Sequence, residues 1–267
     1  MIHPTAIIHP KAHVDPTTSV GPYAIIEEGV VLGPHCQVGP YVYLAGKTII
    51  GAYNKFHPGC VVGHAPQDLK YKGEPTGLRM GDHNSIREFA TIHRATDPSQ
   101  DTIIGSNNLL MAHCHIAHNC VLGNHVIVVN GALLGGHVVV SDRAIISGNC
   151  LVHQFVRVGM LAMMQGGSAI SKDLPPFTVA RGDNGIAGLN VIGLRRAGFT
   201  SEQRLELKRL YHFLFRSGQK MKSALAAARK EFPSEPSKIL IEFVATTQRG
   251  VCRDTGSMGV EDEPDVE

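Results

Sequence analysis

Apolar residues recur at every sixth position along most of the chain. The spacing holds without exception through Ile2–Val62, Met80–Ile92 and Ile104–Ile170, which together provide 26 apolar positions. A period of six fits neither a helix, whose period is 3.6 residues, nor a strand that alternates every second residue. It is typical of a parallel β-helix, in which each hexad supplies one short strand and one turn and three hexads complete a coil. The pattern predicts a mainly β protein with a β-helix of about nine coils over residues 1–177.

The positions around the apolar anchor of each hexad identify the interior of the β-helix. The residue four positions after an anchor should also face inward, because side chains alternate along a strand. It is mostly small, and five of the six cysteines occupy it. These five are Cys36, Cys60, Cys114, Cys120 and Cys150. We interpret them as small buried hydrophobic residues rather than metal ligands or disulfide partners. The residue directly after the anchor is often glycine, which predicts turns with unusual φ at that position.

Two polar segments interrupt the hexads, and after residue 177 they stop. Residues 63–78 predict a loop that leaves a rigid scaffold, where function is often found, although a tolerated insertion is the alternative. A shorter break covers 95–101. Residues 178–198 are Gly-rich and predict a connecting segment, and 199–250 carry the apolar stripes of a C-terminal α-helical domain. We expect 251–267, which hold six acidic residues, to be a disordered acidic tail.

Charge is uneven along the chain, although the net charge is only +2. Residues 1–194 hold 12 basic and 12 acidic side chains, whereas residues 195–253 hold 13 basic and 5 acidic ones. A basic segment favours an acidic partner, although a solvated helix face has the same composition. The N-terminus lacks the pattern of a signal sequence, and no apolar run approaches the length of a membrane span. We expect a cytoplasmic protein without an integral membrane segment and without a nucleic-acid partner.

Candidate chemistry emerges when the repeat is used as a ruler. Because three hexads make one coil, residues 18 apart should lie above one another on the same face. Starting from His118, this spacing predicts a column across three successive coils. The column contains His118, Gly136, His137, His153 and Gln154, with His115 close by. A single histidine is more often a turn or surface residue, but several histidines in one column predict a functional site.

A metal site is one interpretation of the same region. Residues 110–120 crowd three histidines and two cysteines together, and zinc-dependent β-helix enzymes bind the metal through three histidines at a trimer interface. However, the position 36 residues before His113 is Gly77, and His113 and His118 occupy slots that face different ways. We therefore predict no metal and keep a metal-dependent enzyme as an alternative.

Acyl transfer without metal is chemically natural for the column. A neutral imidazole near pH 7 can take a proton from a sugar hydroxyl as it attacks an acyl carbon. The backbone N–H of Gly136, directly above His118, can receive the developing oxyanion. The sequence contains no G-x-S-x-G motif, so direct transfer is favoured over a covalent acyl-enzyme.

The chain resembles the UDP-N-acetylglucosamine O-acyltransferase (LpxA) family of hexapeptide-repeat acyltransferases up to about residue 250. The motifs that carry this resemblance are Gln67–Thr76, Ile92–Arg94, His115–His118, Val152–Phe155, Asp173–Pro176 and Gly193–Phe199. The resemblance implies that the β-helix is left-handed and that the protein is a homotrimer with active sites between subunits. It implies transfer of a 3-hydroxyacyl chain from acyl carrier protein to the glucosamine 3-position of UDP-N-acetylglucosamine, the first step of lipid A biosynthesis. No cofactor is implied beyond the phosphopantetheine thioester of the carrier.

The motif match also implies roles for individual residues. His118 is implied to be the general base and Gly136 the oxyanion donor. The residues implied to bind the sugar nucleotide are Asp68, Lys70, His115, His153, Gln154, Asn190 and Arg196. His137 would meet the hydroxyl of the acyl chain, and Gly166 would lie where the family measures chain length.

Two positions depart from the family pattern. Asn119 stands where an Asp commonly follows the catalytic histidine, and Ile192 stands where some members have a nucleotide-contacting Glu. A non-catalytic β-helix scaffold is therefore an alternative. An N-acyltransferase acting later on glucosamine is another, although that family has an N-terminal domain and the hexads here begin at Ile2. Acyl chain length, and the choice between a 3-hydroxyl and a 3-amino acceptor, stay open.

Overall fold

Three parallel sheets form the faces of a left-handed β-helix, as the six-residue spacing and the resemblance predict. The computed structural model describes residues 1–256. The nine strands of face 1 are Ile7–Ile8, Ile25–Ile26, Tyr43–Leu44, Val61–His64, Thr91–His93, His115–Ile116, Leu133–Leu134, Leu151–Val152 and Ala169–Ile170. The eight strands of face 2 are His13–Val14, Val31–Leu32, Lys47–Ile50, Gly77–Met80, Thr102–Ile104, Val121–Leu122, Val139–Val140 and Arg157–Val158. The parallel strands of face 3 are Ser19–Val20, Gln37–Val38, Lys55–Phe56, Ser85–Ile86, Leu109–Leu110, Ile127–Val128, Ile145–Ile146, Met163–Met164 and Thr178–Arg181.

The register of the strands confirms the 18-residue ruler. His115 pairs with Leu133, 18 residues further along the chain, and the same spacing recurs between successive coils. Only the two polar breaks change it. Val61 pairs with Thr91 around the first loop. Beyond the second loop the 18-residue spacing returns. Each coil therefore stacks directly on the one before it.

The interior of the prism is filled as predicted by the anchors and by the small residues four positions after them. Ile116 and Leu134 are fully or almost fully buried anchors, and Ala132 is a fully buried small residue between them. All six cysteines are buried and free. Burial raises the pKa of the Cys114 and Cys120 thiols to about 12, because a thiolate loses its hydration in the apolar interior.

The prediction of unusual φ directly after the anchor is wrong. Glycine is required there because the next coil approaches too closely for a side chain. A Cβ at Gly33 would lie 2.7 Å from the backbone oxygen of Gly51. The left-handed backbone occurs instead two residues later, in side-chain-bearing residues such as Tyr23 and Asn119, with φ of 57° and 58°.

The segment after the prism is more regular than predicted. Thr178–Arg181 pairs in antiparallel fashion with Gly185–Leu189, which extends face 3, and helix α1 follows at Val191–Arg196. The remaining helices are α2 (Ser201–Phe215), α3 (Met221–Glu231) and α4 (Glu235–Ala245). Helix α2 begins at a capping box formed by Thr200 and Gln203, and its buried stripe packs against α3 and α4. No helix of residues 1–256 is long and apolar enough to cross a membrane.

The C-terminal boundary also differs from the predicted one. Arg253–Asp254 forms a strand beside Gly185–Leu189, and Asp254 accepts hydrogen bonds from Tyr211 and Arg216. These contacts order the first part of the segment that was assigned to the tail. The other predicted tail residues, 257–267, lie outside the described residues.

Candidate active site

A cavity of about 740 Å³ opens on face 1 and collects much of the predicted column. The strands of face 1 supply its floor, and the turns that follow them supply its polar groups. The predicted site residues that line it are His115, His118, Gly136, His153 and Gln154. The 18-residue register explains this convergence, since residues in the same slot of successive coils are stacked on one side of the prism.

His118 is held by its neighbour in the chain. Its Nδ1 lies 2.9 Å from Asn119 Oδ1. The same oxygen accepts hydrogen bonds from the backbone N–H and the hydroxyl of Thr96, at 3.0 and 2.9 Å. Because a carboxamide oxygen can only accept, the proton of the imidazole lies on Nδ1 and Nε2 carries the lone pair. His118 is therefore oriented as a base with Nε2 free to act.

Gly136 lies against the imidazole of His118. A Cβ at position 136 would come within 2.5 Å of His118 Cε1 and 2.6 Å of Nε2, so only glycine fits without displacing the ring. The flanking residues Gly135 and His137 both donate backbone hydrogen bonds, to Val152 and to the carbonyl of His118. Within residues 1–256, the N–H of Gly136 donates to no protein acceptor. This arrangement leaves one backbone donor beside the proposed base, as an oxyanion site requires.

His137 meets His118 edge-on, with ring centroids 5.3 Å apart, and stacks on Phe155 at 4.5 Å. Partial burial lowers the pKa of His137, and the nearby His118 lowers it further. Asp68 acts in the opposite direction, because a carboxylate favours the charged imidazole. His137 is therefore a neutral group at the edge of the site at pH 7.

The loop of residues 65–76 brings a carboxylate to the site. Asp68 Oδ2 lies 3.6 Å from His118 Nε2, too far for a hydrogen bond. The other Asp68 oxygen accepts the backbone N–H of Lys70 at 2.9 Å, which fixes the local turn. Arg94 secures the loop by donating to the Gly63 carbonyl and to the Tyr71 hydroxyl, both at 2.9 Å. The loop therefore covers His118 from a stable base.

His115 and His93 form a neutral pair below His118. His115 Nδ1 lies 2.7 Å from the Thr91 hydroxyl, and the His93 ring meets His115 edge-on at 4.8 Å. Burial is the largest cause that lowers the pKa of each, to about 4 for His93. Protonation of either would add charge beside His118, so both stay neutral near pH 7.

Two predicted residues, Asn190 and Arg196, are not in this cavity. They line a second cavity of about 850 Å³ whose walls come from face 3, which we call the face 3 cavity. Asn190 caps α1 by accepting the Gly193 N–H, and it also donates to the Leu161 carbonyl. Gly166 is exposed at a turn and lines neither cavity. Within one chain, the predicted site is divided between two sides of the prism.

Thr96 and Arg94 are contacts to which the sequence assigned no role. Arg94 belongs to a motif that carried the resemblance, and Thr96 lies in the break at 95–101. That break has no periodicity from which a contact with Asn119 can be deduced. The only available signal was the interruption itself, one coil before the proposed base.

The crowded histidines and cysteines do not share one surface. Cys114 and Cys120 point into the prism, away from the face 1 cavity that His115 and His118 line. Among residues 1–256, no group of three or more His, Cys, Asp or Glu side chains is arranged to hold a metal ion.

Sequence families and solved structures match this architecture. Residues 29–64 and 101–136 match the bacterial transferase hexapeptide repeat, and residues 173–252 match domain 2 of UDP-N-acetylglucosamine O-acyltransferase. A similar structure is the UDP-N-acetylglucosamine acyltransferase of Francisella novicida, with a TM-score of 0.92 and 34% identity over 96% of this chain and 95% of that one. The corresponding enzyme of Bacteroides fragilis has a TM-score of 0.91 and 39% identity, covering 95% and 100%.

Full-length relatives give the same result. The acyl-[acyl-carrier-protein]–UDP-N-acetylglucosamine O-acyltransferase of Thermodesulfovibrio yellowstonii is 46% identical over 94% of this chain and 99% of its own length. That of Halorhodospira halophila is 43% identical with the same coverage. The chain therefore belongs to the UDP-N-acetylglucosamine O-acyltransferase family.

Proposed function

We propose that the protein transfers a 3-hydroxyacyl chain from acyl carrier protein to the glucosamine 3-position of UDP-N-acetylglucosamine, as the first step of lipid A biosynthesis. One observation carries the mechanism. His118 is held through Nδ1 by Asn119, and its Nε2 lies beside the undonated N–H of Gly136 in an open cavity. A base and an oxyanion donor are thus adjacent, as direct acyl transfer requires.

The transfer needs only one proton carrier. His118 Nε2 takes the proton of the glucosamine 3-hydroxyl while its oxygen attacks the thioester carbon and forms the new C–O bond. The carbonyl oxygen becomes negatively charged and accepts the N–H of Gly136. When the C–S bond breaks, the imidazolium returns its proton to the leaving thiolate. Asn119 orients the ring throughout, but it cannot stabilise the imidazolium by charge.

The surrounding side chains suit a sugar nucleotide. Asp68 and Lys70 lie on the loop above His118, where a carboxylate can accept from sugar hydroxyls and an ammonium can meet phosphate. His115, His153 and Gln154 supply further polar groups around the cavity. We assign these five residues to the acceptor.

The acyl chain is assigned to the other side of His118. His137 stacks on Phe155, so that a neutral imidazole edge is available to hydrogen-bond the 3-hydroxyl of the chain. Gly166 leaves open space at its turn, since a Cβ there would meet nothing closer than 3.6 Å. A side chain at this position would occupy that space, which agrees with a role in setting chain length.

A homotrimer would unite the two parts of the site. His118 lies on face 1, whereas Asn190 and Arg196 lie in the face 3 cavity. In a ring of three copies, face 1 of one copy can meet face 3 of the next. Face 1 also exposes Leu133 and Leu151 at 45% and 49%, an apolar strip that a neighbour would cover.

The basic helical domain provides a docking surface for an acidic carrier protein. Arg204, Lys208, His212 and Arg216 line one groove of about 560 Å³ beside α1 and α2. Leu205 is exposed within it and adds an apolar contact. A basic rim with an apolar centre suits a partner of opposite charge.

Incubation with UDP-N-acetylglucosamine and 3-hydroxyacyl carrier proteins of several chain lengths tests the proposal. Mass spectrometry of the product would give the chain length. Alkaline hydrolysis distinguishes an ester on a 3-hydroxyl from an amide on a 3-amino group, because esters are cleaved much faster. Absence of product with every chain length would refute the proposed function.

A further inference from the structure

We propose that Thr96 is a positioning residue that acts through Asn119. It orients the carboxamide so that the oxygen faces His118, and it thereby holds the imidazole in the tautomer whose Nε2 accepts a proton. The inference deepens the proposed function, because it rests on His118 as the base. It assigns to the break at 95–101 a role in the reaction.

The identity of the atom that faces Thr96 follows from its donors. The backbone N–H of Thr96 can only donate, and it lies 3.0 Å from Asn119 Oδ1. The Thr96 hydroxyl donates to the same oxygen at 2.9 Å. This oxygen is also the atom 2.9 Å from His118 Nδ1, so the orientation of the amide and the tautomer of the ring are fixed together.

The reversed amide would have the opposite effect on the base. It would place the NH₂ group of Asn119 against the Thr96 N–H, so that two donors faced each other. It would also present a donor to His118 Nδ1, and the ring proton would move to Nε2, which could then no longer accept one. Thr96 therefore discriminates between a competent and an incompetent arrangement of the same side chain.

The observed orientation is not the one that satisfies Asn119 itself. Its Nδ2 is buried and has no hydrogen-bond partner among the described residues. A buried donor without a partner is costly, so the two donors of Thr96 are needed to maintain this orientation. The backbone of Asn119 is held separately, because its N–H donates to the Thr102 hydroxyl at 2.8 Å. Thr102 fixes the main chain and Thr96 fixes the side chain.

A double-mutant cycle tests the inference in the full-length protein. Thr96→Val removes one donor to Oδ1 and should lower kcat by about 2- to 12-fold, the effect of one hydrogen bond, with KM nearly unchanged. In the Asn119→Asp background the loss should disappear, because a carboxylate presents an acceptor to His118 whichever way it is turned. Ser99→Ala, in the same break but exposed, is the control and should leave kcat unchanged. An equal loss in both backgrounds would mean that Thr96 acts structurally and would overturn the inference.

The tautomer of His118 can be measured without turnover. Nitrogen-15 NMR of labelled protein should show Nδ1 protonated and Nε2 unprotonated in the wild type, and Thr96→Val should populate the Nε2–H form. A wild-type His118 with its proton on Nε2 would refute the inference even in an active enzyme. An inactive wild type with the expected tautomer would count against the proposed function and leave the role of Thr96 supported.

Discussion

Replacement of Gly136 by alanine should displace the imidazole of His118 without unfolding the coil that carries it. The new Cβ would lie 2.5 Å from His118 Cε1, whereas non-bonded carbons are most stable at about 3.5–4.0 Å. The ring must therefore move by about 1 Å. A misplacement of about 1 Å at a reacting group can lower the rate about 100-fold, so we expect kcat to fall by about that factor.

Gly148 offers a matched control, because it occupies the same slot two residues after its anchor. A Cβ at Gly148 would meet nothing closer than 3.4 Å, an ordinary contact. Gly148→Ala should therefore keep kcat near the wild-type value. Initial rates with UDP-N-acetylglucosamine and acyl carrier protein separate kcat from KM, and thermal unfolding of both variants shows whether the fold persists. We expect overpacking to destabilise Gly136→Ala by no more than about 1–3 kcal/mol.

The outcome of this comparison is informative in either direction. If Gly136→Ala kept kcat within about threefold of the wild type while remaining folded, the close packing of His118 and Gly136 would have no part in catalysis, and the proposed mechanism would be wrong. If Gly148→Ala lost as much activity, the effect would report general damage to the coil.

Three further predictions address stability, the carrier protein and the assembly. Since burial lowers the pKa of His93 to about 4 from its ordinary value of 6.5, the unfolded chain binds more protons between these values; the free energy of unfolding should be full above about pH 6.5 and fall by about 2 kcal/mol from pH 7 to pH 5 in urea titrations, and a smaller pH dependence in wild type than in His93→Gln would contradict this. Lys208→Glu should raise KM for the acyl carrier protein and leave KM for the nucleotide unchanged, whereas Lys55→Glu, an equal charge change on the exposed side of face 3, should do neither. Co-expressed His118→Ala and Arg196→Ala chains, each inactive alone, should regain about one quarter of wild-type activity if each site combines residues of two subunits, and no recovery would argue against a shared site.

The column around His118 could be predicted because it depends on a spacing that the hydrogen bonds of the coils maintain. Once His118 is placed, Gly136 and Gln154 follow from the register alone. The same reasoning placed the cysteines inside the prism. It gave the wrong reason for the glycines after the anchors, because the approach of the next coil cannot be seen in a single hexad.

Contacts that leave the repeat could not be predicted in this way. Asp68 reaches His118 from a loop without periodicity, and Thr96 does so from the shorter break. Asn190 and Arg196 were assigned to the site by resemblance, and they line a different side of the prism. Geometry between faces depends on the assembly, and sequence periodicity describes only the order within one chain.

The coil register also determines which insertions and deletions this protein can tolerate during evolution or engineering. Removal of a whole coil of 18 residues ahead of Thr91 would keep every later residue on its own face. Removal of a single hexad would turn all later residues by one face, and His118 and Gly136 would meet only if both lay on the same side of the cut. Length changes at the corners, such as the loop of residues 65–76, avoid this penalty. New binding loops can therefore be added at turns of the prism, while the distance along the chain from His118 to Gln154 must stay constant.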